Sequence, residues 1–513
     1  MIASLARHPF SRLRDLLTIV GVAVFHRVIE ARFLHAPLGL DEAVFLFEGW
    51  SSVKGMVPYR DFQEFKPPMV IFVNALGVKV FGLDLLAYRH IFSLLSLSGF
   101  LCLTLALLNR GTSRLLVVAV LVLMIHHFYD DGFHNSSIDN AESVGLAFLM
   151  IGCAILLFRT RWTRLQQVAG SAFLALVPLS KEPLMFVTVA AWLTIMAIHH
   201  VERSGMYAVK RHALFAVMGV TGVAATWLVY MLATQSLGWY LVQLKLTFAY
   251  TKSYAYQLGY FAPTPSDGEW AEIWDRLRGA YLNGEHLGSF LPFWLAVPIF
   301  WRQRPIVVLA TFGAVAGALY AVTIGRGFAP HYYIMAMGGT FFATIVAVLA
   351  LEGLSRRLSA PKRTALRLAG AAFALMTVWS RLSEEWSRYP HYRSPAPPVS
   401  ASEIAFVQAH SDPGDKILTL GEPLLYVYAD RLSAWRENLA IDELIEYYPG
   451  NTDEERLAGQ REELSGTRPK VIIFGEDRAA GYRRKQRYIH ALFLPFLREN
   501  GYTKFEDRFY LRP

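Results

Sequence analysis

A chain of 513 residues that is 54% hydrophobic, with a mean hydropathy of +0.31, is too apolar for an ordinary soluble protein of its length. Its formal net charge of +9 does not mark a nucleic-acid binder, because the basic residues recur in short clusters between apolar blocks, as in the cytoplasmic loops of membrane proteins. Its two cysteines, Cys102 and Cys153, each lie inside an apolar block and argue against a disulfide framework or a cysteine metal site.

The basic N-terminus (Arg7, Arg12, Arg14) followed by apolar residues 16–25 mimics a signal peptide, but no small-residue cleavage site follows. Residues 16–34 are therefore expected to form a retained first span. Its second half carries His26, Arg27, Glu30 and Arg32, so that end must be shielded, leave the bilayer or lie at the interface. An outer loop, 35–84, comes next, and its stretch 40–68 reads LDEAVFLFEGWSSVKGMVPYRDFQEFKPP. Val44, Phe45, Phe47 and Trp50 suit a helix lying on the membrane surface. Residues 69–81, short and carrying Lys79, read as interfacial or re-entrant. Ten further spans are expected at 85–108, 115–128, 141–158, 168–179, 184–198, 212–233, 287–301, 305–324, 332–351 and 368–379, making eleven.

Basic clusters follow every second span, and the long aromatic loop 235–286 and the acidic loops fall between them. By the positive-inside rule the N-terminus is expected in the cytoplasm and the C-terminus outside. Residues 1–386 then form a membrane domain. Residues 387–400 form a proline-rich linker. Residues 401–513 read as a small soluble α/β domain, with strands at 416–420 and 471–474 and helices at 402–409 and 489–500. That domain carries no nucleotide-binding glycine motif.

Several polar residues fall on the expected outer side, and each has a bland and a chemical use. Asp41 and Glu42 can cap the surface helix, or can take a proton from a hydroxyl or bind a metal. Lys66, before Pro67 and Pro68, can snorkel to the interface or hold a phosphate as a point charge. Asp139 and Glu142 can cap the span at 141–158 or form a second acidic pair. Lys181 and Glu182 can pair with each other at a tight turn. Arg326 can bind phosphate, and Tyr332 and Tyr333 beside it can be interface aromatics. The tyrosine-rich run 248–261 can belong to an aromatic belt or close over a site. His126, His127, Asp130, Asp131 and His134 have the composition of a metal cluster without its spacing. A divalent metal, magnesium or manganese, is compatible with the acidic residues without being required by them.

Four pieces in order, Asp41-Glu42-Ala43, then Gly55, Pro58, Tyr59 and Asp61, then Lys66-Pro67-Pro68, then Phe81-Gly82, resemble the first outer loop of C-type membrane glycosyltransferases. The similarity is greatest to the group of protein O-mannosyltransferases and lipid A aminoarabinose transferases. Lys181-Glu182-Pro183 and the run from Arg326 to Tyr333 are similar in a weaker way. The resemblance implies a polytopic α-helical membrane fold with a C-terminal extracytoplasmic α/β domain, in the inner membrane of a bacterium. It implies transfer of a sugar, with inversion, from a polyprenyl-phosphate donor to a lipid, glycan or protein acceptor. It makes Asp41 the catalytic carboxylate supported by Glu42, and Asp139 and Glu142 the second acidic site. It gives the donor phosphate to Lys66, with Arg326, Tyr332 or Tyr333, and Lys181. Val44-Phe45 stand where the aminoarabinose branch often has arginine and tyrosine, and no proline closely follows Tyr333, so that branch's acceptor does not carry over. The competing class is a polytopic transporter or lipid flippase, which would place its ionisable groups at mid-span on broken helices. A third is a scaffold that has lost catalysis, against which stand the intact Asp41, Glu42 and Lys66.

Overall fold

The computed structural model describes residues 9–36, 38–64, 66–129, 140–158, 163–203, 206–245, 278, 287–324, 333–388, 399–420, 423–436, 453–474, 492–506 and 509–512. It divides into two compact units. The first comprises Met1–Ala36, Arg89–Trp227 and Gly259–Ser394, and the second Pro37–Tyr88, Leu228–Leu258 and Pro395–Pro513.

Among the described residues five helices are long and apolar enough to cross a membrane: Leu85–Asn109, Glu182–Val201, Ala213–Ala233, Pro305–Val322 and Ile334–Ser355. The protein is therefore a multi-pass helical membrane protein. The blocks expected at 115–128 and 141–158 are helices Arg114–Phe128 and Ala141–Leu157, of 15 and 17 residues. At ~1.5 Å per residue the shorter one falls well below ~30 Å of hydrocarbon. The block expected at 287–301 is broken into Leu287–Phe290, Leu291–Trp294 and Ala296–Phe300. Pro292 and Pro298 lack the N–H that a continuous helix needs there.

Of the five long apolar helices Ile334–Ser355 is the most enclosed, with Ile334, Phe341 and Val346 all essentially buried. Gly339 lets its backbone reach the next helix: a Cβ there would lie 2.5 Å from the Ala314 carbonyl oxygen. Small residues at such crossings let membrane helices gain dispersion contacts that lipid cannot replace. In the second half of helix Pro9–Leu34 His26 and Glu30 are shielded rather than expelled, while Arg27 stays 47% exposed. His26 and Glu30 are fully buried. His26 Nε2 meets Ser96 Oγ at 3.1 Å, Ser96 meets the Tyr129 hydroxyl at 2.9 Å, and Tyr129 donates to Glu30 at 3.4 Å. Arg27 pairs with Glu30 and donates to Ser93 Oγ at 2.6 Å. Buried polar groups persist in such a setting only with partners of this kind.

In the second unit helix Leu40–Val53 lies across helix Pro68–Phe81. Gly49 makes the crossing close, since a Cβ there would stand 2.6 Å from the Asn74 backbone carbon. Phe47 on the first helix packs on Tyr426, with ring centroids 5.0 Å apart, in helix Pro423–Ala429 of the tail. The tail holds a four-stranded sheet in the order β1-β2-β4-β3, where β1 is Leu418–Leu420, β2 Val471–Phe474, β3 Thr503–Glu506 and β4 Phe509–Leu511. β1 and β2 run parallel with Leu418 opposite Ile472, and β4 lies antiparallel to β2 with Ile472 opposite Tyr510. Trp435, Leu464, Phe493 and Phe496 fill the core beneath it. The expected strands and the helix at 402–409 are present in this tail; of the helix expected at 489–500, Leu494–Glu499 is present and 489–491 lie outside the described residues. Helix Asp453–Thr467 and the hairpin of β3 and β4 were not expected. The helix has a polar composition and the strands are only four and three residues long.

Candidate functional site

The site is built on residues 38–64 and 66–68 of the second unit. Helix Leu40–Val53 starts after Gly39, so Asp41 and Glu42 sit in its first turn and neither is the capping residue itself. The two adjacent carboxylates part company there. Glu42 is fully buried and accepts the Gly39 N–H at 3.4 Å, closing the helix start. Asp41 remains 43% exposed, and its Oδ2 lies 3.5 Å from Lys66 Nζ. The ammonium of Lys66 also stands 4.3 Å over the Phe45 ring, one helical turn along.

Lys66 is placed by the residues between. The Tyr59 hydroxyl donates to the Lys66 carbonyl at 2.9 Å, and the Lys66 N–H donates to Glu64 Oε1 at 2.6 Å. Tyr59 is 2% exposed and holds a φ of 68°, a left-handed backbone that a tyrosine rarely adopts. Gly55 has a φ of 95°, which turns the chain out of helix Leu40–Val53 at little cost. Asp61 fastens the turn, accepting the Val57 N–H at 2.8 Å and two hydrogen bonds from Arg60 at 2.7 and 2.8 Å. Arg60 in turn donates to the Thr234 carbonyl at 2.8 Å. The spaced motif of Gly55, Pro58, Tyr59 and Asp61 thus shapes the loop that presents Lys66.

Burial raises the Asp61 carboxyl, but the bonds from Arg60 and Val57 and the charges of Arg60 and Lys416 outweigh it and hold it below the ordinary carboxylate value of 3.8. A carboxyl lowered by folding stabilises above its unfolded pKa and loses that contribution as pH falls through the lower folded value. Between about pH 5 and about pH 3 the melting temperature of the wild type is expected to fall more steeply than that of Asp61→Asn. Parallel curves would mean that the turn does not depend on this ion pair.

Glu142 and Lys181 meet in the first unit. Asn140 caps helix Ala141–Leu157 by accepting the Ser143 N–H at 2.8 Å, so Glu142 is not needed as a cap. Its carboxylate instead takes the Lys181 ammonium at 2.7 Å, with side chains only 2% and 12% exposed. Lys181 therefore pairs across the fold with Glu142, a partner 39 residues away that the sequence did not point to. His127 Nε2 lies 2.8 Å from Ser289 Oγ, and its ring packs on Phe290 at 5.1 Å. Asp130, Asp131, His134, Asp139, Arg326, Tyr332 and the run 248–261 lie outside the described residues, as does the side chain of Tyr333. No group of three or more histidine, cysteine or acidic residues that could hold a metal occurs among the described residues. A cation beside Asp41 Oδ2 is moreover a poor start for a divalent site, so no step is derived through a metal. The described residues single out no cofactor.

No protein-family model and no curated sequence matches the chain. Solved structures do. ArnT from Cupriavidus metallidurans in the apo state aligns over 98% of each chain with a TM-score of 0.56 and 13% identity. ArnT from the same organism bound to undecaprenyl phosphate aligns over 97% of this chain and 98% of its own, at 0.55 and 12%. The Archaeoglobus fulgidus oligosaccharyltransferase aligns over 96% of this chain and 73% of its own, at 0.51 and 12%. The fold is that of the C-type membrane glycosyltransferases. At these identities the likeness is one of architecture, carried by the order and packing of helices rather than by matching side chains. Sequence reasoning did not find the two residues that fix Lys66, Tyr59 through its hydroxyl and Glu64. The tyrosine stood in the quoted motif without a role, and Glu64, two residues before the lysine, bore no signal at all.

Proposed function

We propose that this chain is an integral membrane glycosyltransferase that moves a sugar from a polyprenyl-phosphate donor to an acceptor hydroxyl outside the cytoplasm, inverting the anomeric centre. The observation that carries it is the Asp41–Lys66 pair, 3.5 Å apart and partly exposed, in the first outer loop of a fold shared with ArnT. A pair this exposed is worth little to stability, about 0–1 kcal/mol, so its partners separate readily when substrates arrive. The donor phosphate takes Lys66. Asp41 then accepts the proton of the acceptor hydroxyl as its oxygen attacks the anomeric carbon. The bond from that carbon to the phosphate oxygen breaks, and polyprenyl phosphate leaves with the electron pair. The likeness to ArnT bound to undecaprenyl phosphate supports a lipid-phosphate donor and favours an enzyme over a transporter. Incubation of the purified protein with radiolabelled polyprenyl-phosphate sugars tests this, and no turnover of any of them would refute it.

Substituting Lys66 by alanine is expected to weaken donor binding by roughly ten- to a hundredfold, since a charge-assisted contact is worth about 1.5–3 kcal/mol. Acceptor KM should change little, and Lys66→Arg should recover part of the loss. An unchanged donor KM in Lys66→Ala would reduce Lys66 to a snorkelling side chain. The membrane is the inner membrane of a bacterium in this account, with the N-terminus in the cytoplasm and the tail outside. The alternation of basic loops supports that orientation. A reporter fused after Pro398 should be active only in its periplasmic form, and cytoplasmic activity would reverse the topology.

A further inference from the structure

The second unit carries an open cavity of about 390 Å³ that neither Asp41 nor Lys66 lines. Its wall carries four cations, Lys54, Arg60, Lys416 and Arg436, against two carboxylates, Asp61 and Glu463. Both carboxylates already have work. Asp61 is held by Arg60 and the Val57 N–H, as above, and Glu463 Oε1 accepts the Arg436 N–H at 2.9 Å. Lys54 reaches Asp430 at 2.6 Å, outside the lining. The guanidinium of Arg436 lies 3.8 Å over the Trp239 ring, which fixes it in place. Lys416 is exposed, on the residue that precedes the buried Ile417. Trp435 also lines the cavity, and its buried indole Nε1 has no hydrogen-bond partner among the described residues. A buried donor without an acceptor is costly, and a wall with surplus positive charge attracts one that is negative.

We propose that this cavity binds an oxyanion-bearing polar headgroup of sugar size, a phosphorylated or carboxylated saccharide. It rests on the glycosyltransferase function only in taking that headgroup as part of the acceptor. The volume falls within the range of small-ligand sites, roughly 300–1,000 Å³. It equals that of about a dozen waters, which is more than one inorganic phosphate needs. Two of the cations, Lys54 and Arg60, come from the first outer loop, and Lys416 and Arg436 come from the tail. The tail thereby acquires a use, which is to complete an anion site together with the loop that also carries Asp41.

Binding to the full-length protein in detergent is read by tryptophan fluorescence with glucose 1-phosphate, glucuronate, glucose and inorganic phosphate as probes. At least one of the two anionic sugars should bind at least tenfold more tightly than glucose and than inorganic phosphate. Whichever sugar anion binds more tightly identifies the oxyanion as phosphate or carboxylate. Lys416→Glu, at an exposed position, should weaken that binding at least tenfold, and Lys416→Ala several-fold, with binding of the polyprenyl-phosphate donor unchanged in both. Equal binding of glucose, equal binding of inorganic phosphate, indifference to Lys416→Glu, or no binding of any probe would each overturn the site. Anion binding without any donor turnover would sink the transferase function and leave the site standing. Donor turnover without anion binding would do the reverse.

Discussion

Asp41→Asn is expected to lower sugar transfer by about 10²–10⁴-fold, the usual cost of losing a general base. The amide keeps the shape of the carboxylate but cannot take the acceptor's proton. In the proposed transfer polyprenyl phosphate leaves without needing an acid, so one carboxylate on the acceptor side would carry most of the demand for proton transfer. The structure sharpens this test. Gly39 is the cap residue and Glu42 serves it, so Asp41 is not required to close the helix. What the substitution removes from stability is a dipole interaction of about 0.3–1 kcal/mol and a partly exposed ion pair worth about as little. Donor turnover should therefore fall at matched thermal stability. Wild-type turnover in Asp41→Asn would place the base elsewhere, with Asp139 the next candidate.

Lys181→Ala is expected to destabilise the protein by about 3–5 kcal/mol, because it takes the Lys181 ammonium away from the buried carboxylate of Glu142. The lysine is only 12% exposed and the glutamate 2%, so water does not replace the lost partner. Removing both charges is a different experiment. Glu142→Leu with Lys181→Met fills the same space with apolar groups and should restore most of the stability, since such swaps are often neutral. The double variant also separates structure from chemistry. If it folds and transfers sugar, the pair is a strut. If it folds and transfer is lost, the pair serves the reaction. A melting temperature for Lys181→Ala equal to that of the wild type would show that Glu142 is satisfied without Lys181. Thermal unfolding in detergent, with transfer assays on the same samples, reads all of these outcomes.

The apolar blocks and most of the helices they form were legible in the sequence, because each is written in contiguous residues. Length and hydropathy suffice for a helix such as Pro305–Ile324. The order of Asp41, Gly55, Tyr59 and Lys66 along one short loop needed no distant partner to be noticed. Tertiary structure alone decided what those residues touch. Asp41 and Lys66 are 25 positions apart, and no periodicity brings an aspartate at the start of one helix to a lysine just before another. Lys181 is a second case: its ammonium reaches Glu142 on another helix, because that carboxylate is buried and a buried charge gains most from a partner. The hairpin of β3 and β4 was not legible because strands this short show no alternation to read and exist only through pairing, β3 with β4 and β4 with β2. Tyr59 took its left-handed backbone for the same kind of reason: the packing that buries its ring and the bond to the Lys66 carbonyl outweigh a local preference that the chain alone would have followed.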